Sequence, residues 1–268
     1  MQITNLFKIV SKMPILCKVI YCIILLVIKM EVKSYKKDAF YSYALGAFPT
    51  IELLKNRPED VLKIVVHTSF SNKDVLNLIN ELRGRTEIEY NDKLINKLSP
   101  KGNCYVIGIF KKYYTKLENK DHIVLVNPSD MGNLGTIIRS SLGFGITNVA
   151  IIKPGVDIFD PKVIRASMGA IFSINISYFP TYEDYCEAFK DHEKRTFMLQ
   201  AKKTLQETSF SKDKLTSLVF GNEATGLDHS LLDENSIIIS HSDKIDSLNL
   251  PSSLAIALYE FNKQKGKN

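Results

Sequence analysis

Three stretches of the 268-residue chain carry side chains that could do chemistry. The first, NPSDMGNLGTIIRSS over 127–141, holds Asn133, Gly135 and Arg139. Asn133 falls where a helix cap belongs, Gly135 permits close backbone approach, and Arg139 lies in the second turn. Leu134, Ile137, Ile138 and Leu142 share one helical face, which leaves Arg139 on another. The second, LVFGNEATGLD over 218–228, runs Phe220 into Gly221, Glu223 and Gly226. The third, KIDSLNLPSSLAIALYEF over 244–261, holds Ser247, Leu248 and Asn249 before Pro251, a residue suited to the first helical turn. A guanidinium presents a fork of charged donors to a phosphate or a developing oxyanion. A carboxylate can orient it, and amides and hydroxyls can fix a polar substrate. Each stretch alone is equally well read as a capped helix with a solvated arginine, a glycine turn with an exposed glutamate, and a capped helix start.

The elements that must position these loops alternate between strand and helix. From His122, HIVLVN and NVAIIK read as buried strands around the helix LGTIIRSSLGFG. TFMLQA, SLVFGN and SIIIS follow as strands, and a last helix buries Leu254, Ala257, Leu258 and Phe261. That order predicts a mostly parallel sheet with helices on both faces, over residues 122–268. Ligands of such sheets bind beyond the carboxyl ends of the strands, where all three loops begin. Residues 30–110 read as a smaller α/β unit, patterned from about Ala39. FPTIELLKN and NKDVLNLINELRG are its helices, the latter capped by Asn72 with Val75, Leu76, Ile79 and Leu82 inward. VLKIVVHTS, EIEYND and CYVIGIF are its strands. KKYYTKLENKD, over 111–121, reads as a basic linker.

A net charge of +6 fits a polyanionic partner without requiring one. Lys111, Lys112, Lys116 and Lys120, with Arg83 and Arg85, are candidates for phosphate contacts, or equally for a solvated surface. The four cysteines and five histidines show no metal-ligand or disulfide spacing, so no metal is expected and a reducing, cytoplasmic setting is. Residues 15–28 form an apolar run behind Lys8 and Lys12, but Lys18 interrupts it and it falls short of the roughly 20 residues of a spanning helix. Residues 1–29 are expected to lie outside the folded part, which would start at Met30; a membrane-interface helix and export are the other readings. Any membrane contact is confined to residues 15–28. No dinucleotide fingerprint or P-loop is present.

In this order, at these strand ends, the three loops resemble the N-x-G-x-x-x-R, G-x-E-x-x-G and S-L-N motifs of SpoU/TrmH RNA 2'-O-ribose methyltransferases, a branch of the SPOUT superfamily. RASMGAIF, over 165–172, is similar to the family's middle segment, and the resemblance covers about residues 40–268. Pro251-Ser252 and Ser240-His241 depart from the commonest pattern, beside the expected cofactor loop. The resemblance implies a SPOUT domain with a trefoil knot behind an L30e-like RNA-binding domain. It implies S-adenosyl-L-methionine (AdoMet) held bent near Phe220, Gly221, Ile239, Leu248 and Asn249, and a homodimer that completes each active site. Asn133, Arg139, Glu223, Ser247 and Asn249 become the catalytic set, and ribosomal RNA, ahead of transfer RNA, the substrate. Arg139 is the family's proposed base. Because a guanidinium stays protonated, a phosphate clamp or alkoxide stabiliser suits it at least as well. The competing readings are a non-catalytic RNA-binding or ribosome-assembly factor, and methylation of a base nitrogen.

Overall fold

The computed structural model describes residues 32–82, 84–100 and 102–266. The apolar run, Met30 and Arg83 lie outside the described residues. From Tyr35 onward the chain is one compact unit. Among the described residues, no helix is long and apolar enough to cross a membrane.

The smaller sheet joins β1 (Tyr41–Leu45), β2 (Val61–Val66), β3 (Glu87–Tyr90) and β4 (Val106–Lys111) in the order β1-β4-β2-β3. Only the β2–β3 pair is parallel. Around it lie α1 (Ala47–Asn56), α2 (Lys73–Glu81) and α3 (Asp92–Leu98). Asn72 caps α2 as expected: its side chain accepts from the Val75 amide at 3.1 Å, and Val75 and Ile79 are buried. The sequence reading overlooked β1 and α3.

The larger sheet holds β5 (His122–Val126), β6 (Asn148–Ile152), β7 (Asn175–Phe179), β8 (Glu193–Thr196) and β10 (Thr216–Phe220). All five are parallel, ordered β7-β6-β5-β10-β8. Alternate residues feed two cores, as a period of two demands. Ile123, Leu125, Ile151 and Phe220 face the core shared with α4 (Met131–Gly143) and α7 (Leu250–Lys265). Val124, Ala150 and Val219 face the other core, which Tyr185 of α6 (Tyr182–Ala188) covers. A short helix α5 (Pro161–Ala166) packs against α4.

Two expected strands differ. TFMLQA is not the strand; the chain pairs earlier, over Glu193–Thr196, because β8 is an edge strand that tolerates Glu193, Lys194 and Arg195. SIIIS contributes only β11 (Ile237–Ile238), which pairs with β9 (Lys203–Thr204) outside the main sheet.

The 111–121 stretch is a strap, not a free tether. Thr115 Oγ1 donates to the Ile176 carbonyl at 3.1 Å and accepts from the Ile176 amide at 2.8 Å. Ser177 Oγ donates to the Thr115 carbonyl, and the Glu118 amide to Asn148 Oδ1. Aromatic packing joins the sheets above it. Phe110 of β4 meets Phe172 edge to face at 5.1 Å, and Tyr113 meets Phe159 at 5.2 Å. Ser42 of β1 donates to the Phe159 carbonyl.

Candidate active site

The site grows from the carboxyl ends of β5 and β10. Leaving β10, the chain turns so tightly that a Cβ on Gly221 would sit 2.1 Å from the Gly226 carbonyl carbon; no other residue fits. Gly226 closes the turn at φ +70°, where a side chain is strained. Asn222 shapes it further, accepting through Oδ1 from the Ala224 amide at 2.9 Å. Its Nδ2 donates to the Asn127 carbonyl at 2.7 Å and so ties this loop to the one after β5.

Glu223 completes that tie. Its carboxylate accepts from the Ser129 amide (3.0 Å), the Ser129 hydroxyl (2.8 Å) and the Asp130 amide (3.3 Å), with a long contact to Asn133 Nδ2 at 3.5 Å. Burial pushes its pKa up, but the hydrogen bonds from Ser129 and Asp130 together outweigh burial, and the net shift is down. Glu223 is therefore an ionised strut between two loops. Sequence reasoning missed Ser129, Asp130 and Asn222, although Asn-Pro-Ser-Asp is a turn signature that could have flagged the loop.

On α4 the cap is Asp130, whose side chain accepts from the Asn133 amide at 2.7 Å. Asn133 is not the cap but lies in the first turn, facing Glu223. Gly135 does serve a close approach, to α5: a Cβ there would lie 2.4 Å from Ala166 Cβ and 2.6 Å from the Val163 carbonyl oxygen. Arg139 stands on the exposed stripe with Gly132 and Thr136. It makes no hydrogen bond or ion pair among the described residues, so neither Glu223 nor Asn133, Ser247 or Asn249 orients it.

A cleft of about 210 Å³ opens between the β10 loop, residues 197–200, residues 237–241 and the approach to α7. Phe220, Gly221, Glu223, Ile239, Ser247 and Leu248 line it; Asn133, Arg139 and Asn249 do not. Phe197 stacks on Phe220 at 4.4 Å and 6°, forming an aromatic wall. His241 joins the lining, its Nδ1 2.9 Å from the Ile239 carbonyl, as do Leu199 and His229. No sequence signal marked Phe197, Leu199 or His229. Asn249 starts α7, yet its side chain makes no capping bond. Capping therefore does not explain that amide. Ser247 is likewise exposed, with no hydrogen bond among the described residues.

Of the basic candidates, Lys112 is already engaged: its ammonium lies 3.0 Å from the Tyr35 hydroxyl and 3.5 Å from Asp157. Lys120 pairs with Glu118 at 2.5 Å. Lys111, Lys116 and Arg85 are exposed.

The SpoU rRNA Methylase family model matches residues 120–259. An uncharacterized tRNA/rRNA methyltransferase of Synechocystis sp. is 29% identical over 147 residues, 53% of this chain and 53% of its own. The 23S rRNA (uridine(2479)-2'-O)-methyltransferase of Streptomyces viridochromogenes is 27% identical over 150 residues, 53% of this chain and 52% of its own. The chain thus spans about half the length of these curated relatives. Among solved structures, the AdoMet-bound rRNA methyltransferase from Sinorhizobium meliloti superposes with a TM-score of 0.71 at 25% identity, covering 84% of this chain and 87% of that one.

Proposed function

This chain belongs to the SpoU rRNA Methylase family, and from that membership we propose that it methylates a ribose 2'-hydroxyl of structured RNA, ribosomal before transfer RNA, with AdoMet as donor. One observation carries the reading: the loop after β10, the residues after β11 and the approach to α7 meet in one cleft, the loop after β5 is tied to its β10 wall through Glu223 and Asn222, and the Ser247 hydroxyl in its lining makes no bond among the described residues.

The cleft suits the cofactor. Gly221 leaves bare backbone there, Phe197 and Phe220 offer an aromatic wall, and Ile239 and Leu248 add apolar cover beside peptide groups. Phe220, Gly221, Ile239 and Leu248 would hold it, with Asn249 following Leu248 at the start of α7. When bound, AdoMet supplies an electrophilic methyl carbon on a cationic sulfur.

The residues have distinct tasks in this reading. Glu223 keeps the β5 and β10 loops in register and makes a weak base, since the hydrogen bonds from Ser129 and Asp130 stabilise its ionised form and lower its proton affinity. Arg139 holds the phosphate beside the target ribose and stabilises the alkoxide as the hydroxyl ionises. Asn133, Ser247 and Asn249 hydrogen-bond the ribose and align its oxygen. A second copy of the chain completes each site, the SPOUT segment is knotted, and the β1–β4 unit is an L30e-like RNA-binding domain of a cytoplasmic enzyme. Family membership over residues 120–259 supports the knot and the second copy; the reading of the β1–β4 unit rests on the looser resemblance before residue 122.

The test is methyl transfer from labelled AdoMet to unmodified total RNA, followed by alkaline digestion. A 2'-O-methyl group blocks the hydroxyl that drives alkaline cleavage, so label is expected in resistant dinucleotides. Label in mononucleotides would establish base methylation instead. No label, with AdoMet bound, would leave an RNA-binding protein.

A further inference from the structure

A second groove, of about 1030 Å³, lies at the same carboxyl edge of the large sheet, on its β6–β7 side. The strap, Lys37, the loop after β6 and the end of β7 form its walls. We infer that this groove is a second RNA-contact site, in which Tyr114 stacks on a nucleobase near the methylated nucleotide while Lys37 and Lys153 hold its phosphates. The inference rests on the proposed RNA substrate and adds a site to it.

Tyr114 is 93% exposed, an unfavourable setting for an aromatic ring with no partner. Its backbone is nevertheless fixed on both sides. Tyr113 donates its hydroxyl to the Ile171 carbonyl at 3.1 Å beneath the Arg57 guanidinium, and Thr115 bonds Ile176 twice. A rigid segment therefore presents a free ring, as a stacking platform requires. The groove is also cationic. Lys37, Lys112 and Lys153 line it against one carboxylate, Asp157. That carboxylate is neutralised by Lys112 and further held by the Tyr35 hydroxyl and the Phe159 amide. Lys37 and Lys153 are exposed, and neither ammonium has an ion-pair partner among the described residues.

The loop that walls the groove after β6 is bonded to the loop after β5, which borders the proposed methyl-transfer site. The Val156 amide donates to the Pro128 carbonyl at 3.0 Å, and the Asn127 amide to the Ile152 carbonyl at 3.0 Å. The loop between groove and cleft is thus the one that Glu223 clamps and from which α4 and Arg139 depart. From β7 to β10 is three strand spacings, about 14 Å. A nucleotide neighbouring the target ribose can reach Tyr114 across that distance.

The experiment measures fluorescence anisotropy of labelled oligoadenylate on the full chain without AdoMet, beside methyl-transfer kinetics on RNA. Tyr114→Ala should weaken oligoadenylate binding about 5- to 100-fold, the range for loss of one base–aromatic stack, while Tyr114→Phe keeps it. Lys37→Ala with Lys153→Ala should lower the salt slope by about 1.4. In kinetics Tyr114→Ala should raise KM for RNA and preserve kcat, with AdoMet affinity unchanged by calorimetry. Unchanged RNA affinity and KM in Tyr114→Ala overturn the inference, and so does binding that responds to the lysines alone. If the wild type methylates nothing yet loses oligoadenylate with Tyr114→Ala, the groove stands and the methylation reading falls. If it methylates RNA with Tyr114 irrelevant, the reverse holds.

Discussion

Glu223 in the β10 loop is bonded from several sides, whereas Arg139 on α4 is exposed. Glu223 receives three hydrogen bonds at 3.3 Å or less from Ser129 and Asp130, whereas the Arg139 guanidinium donates none among the described residues. A guanidinium held by nothing is available to a phosphate, and it stays charged across the working pH range. Arg139→Ala should therefore lower kcat/KM for RNA up to about 100- to 1000-fold, the loss when a donor to a developing oxyanion is removed, with AdoMet binding by calorimetry nearly intact. Arg139→Lys should recover little, because one ammonium cannot reproduce a two-pronged contact. Equal loss of cofactor binding in Arg139→Ala would refute this division of roles. Glu223→Gln should behave in the opposite way. The amide can keep its oxygen toward Ser129, but its NH2 then faces the Asp130 N–H, donor against donor, and loosens that side of the tie, so AdoMet affinity should fall along with about 1 kcal/mol of stability. A Glu223→Gln enzyme that binds AdoMet like the wild type would show that the strut does not shape the cleft.

At the scale of elements, α4 carries the clearest consequence of packing. Two of its glycines make opposite predictions under the same substitution. Gly135→Ala drives a methyl group into Ala166 and the Val163 carbonyl, so α4 and α5 must separate, at about 1–3 kcal/mol. Gly143→Ala adds a methyl to open space at the helix end, where reduced freedom of the unfolded chain should stabilise by about 0.5 kcal/mol. Urea midpoints moving in the same direction for both would contradict the packing argument. The helix also shows what a sequence can and cannot convey. HIVLV and NVAII were readable as buried strands because both faces of the sheet are covered, which leaves near-continuous apolar runs. Asn72 was readable as a cap because one polar residue stands before a clean period. Before α4, Asp130 and Asn133 both suit capping, and the choice depends on Glu223, 93 residues beyond Asp130, drawing the loop together. Gly221, Ile239, Ser247 and Leu248 could be placed at the cleft because their motifs resemble those of the SpoU/TrmH family, and the structure brings all four into its lining. Phe197 could not, because its stacking on Phe220 depends on β8 lying beside β10, an adjacency of the sheet order and not of the chain.

At the scale of the whole molecule, the cleft and two buried histidines lie at opposite ends of one sheet. At the amino end of β5 and β10, His122 Nδ1 lies 2.9 Å from the Tyr185 hydroxyl, which shares a 2.6 Å hydrogen bond with Ser217; His192 reaches the same Ser217 at 3.1 Å. Burial pushes the His192 pKa down from 6.5 to about 4, with the neighbouring His122 adding to the shift, and burial lowers His122 as well. Both rings are therefore neutral in the fold at pH 7. In the unfolded chain they take up protons from about pH 6.5, so stability is complete above that pH and is lost as pH falls toward 4. Because the two sheets share one core through Phe110, Phe159 and Phe172, the loss should appear as a single cooperative transition of Tyr35–Asn268 and not as melting of one end. Urea midpoints followed by circular dichroism should accordingly decline between pH 6.5 and 4.5, and His192→Gln, which removes one titrating ring, should flatten that decline. A midpoint constant across this window in the wild type would mean that the histidines charge in place without cost. Two separated transitions would mean that the strap and the aromatic contacts leave the sheets to unfold independently.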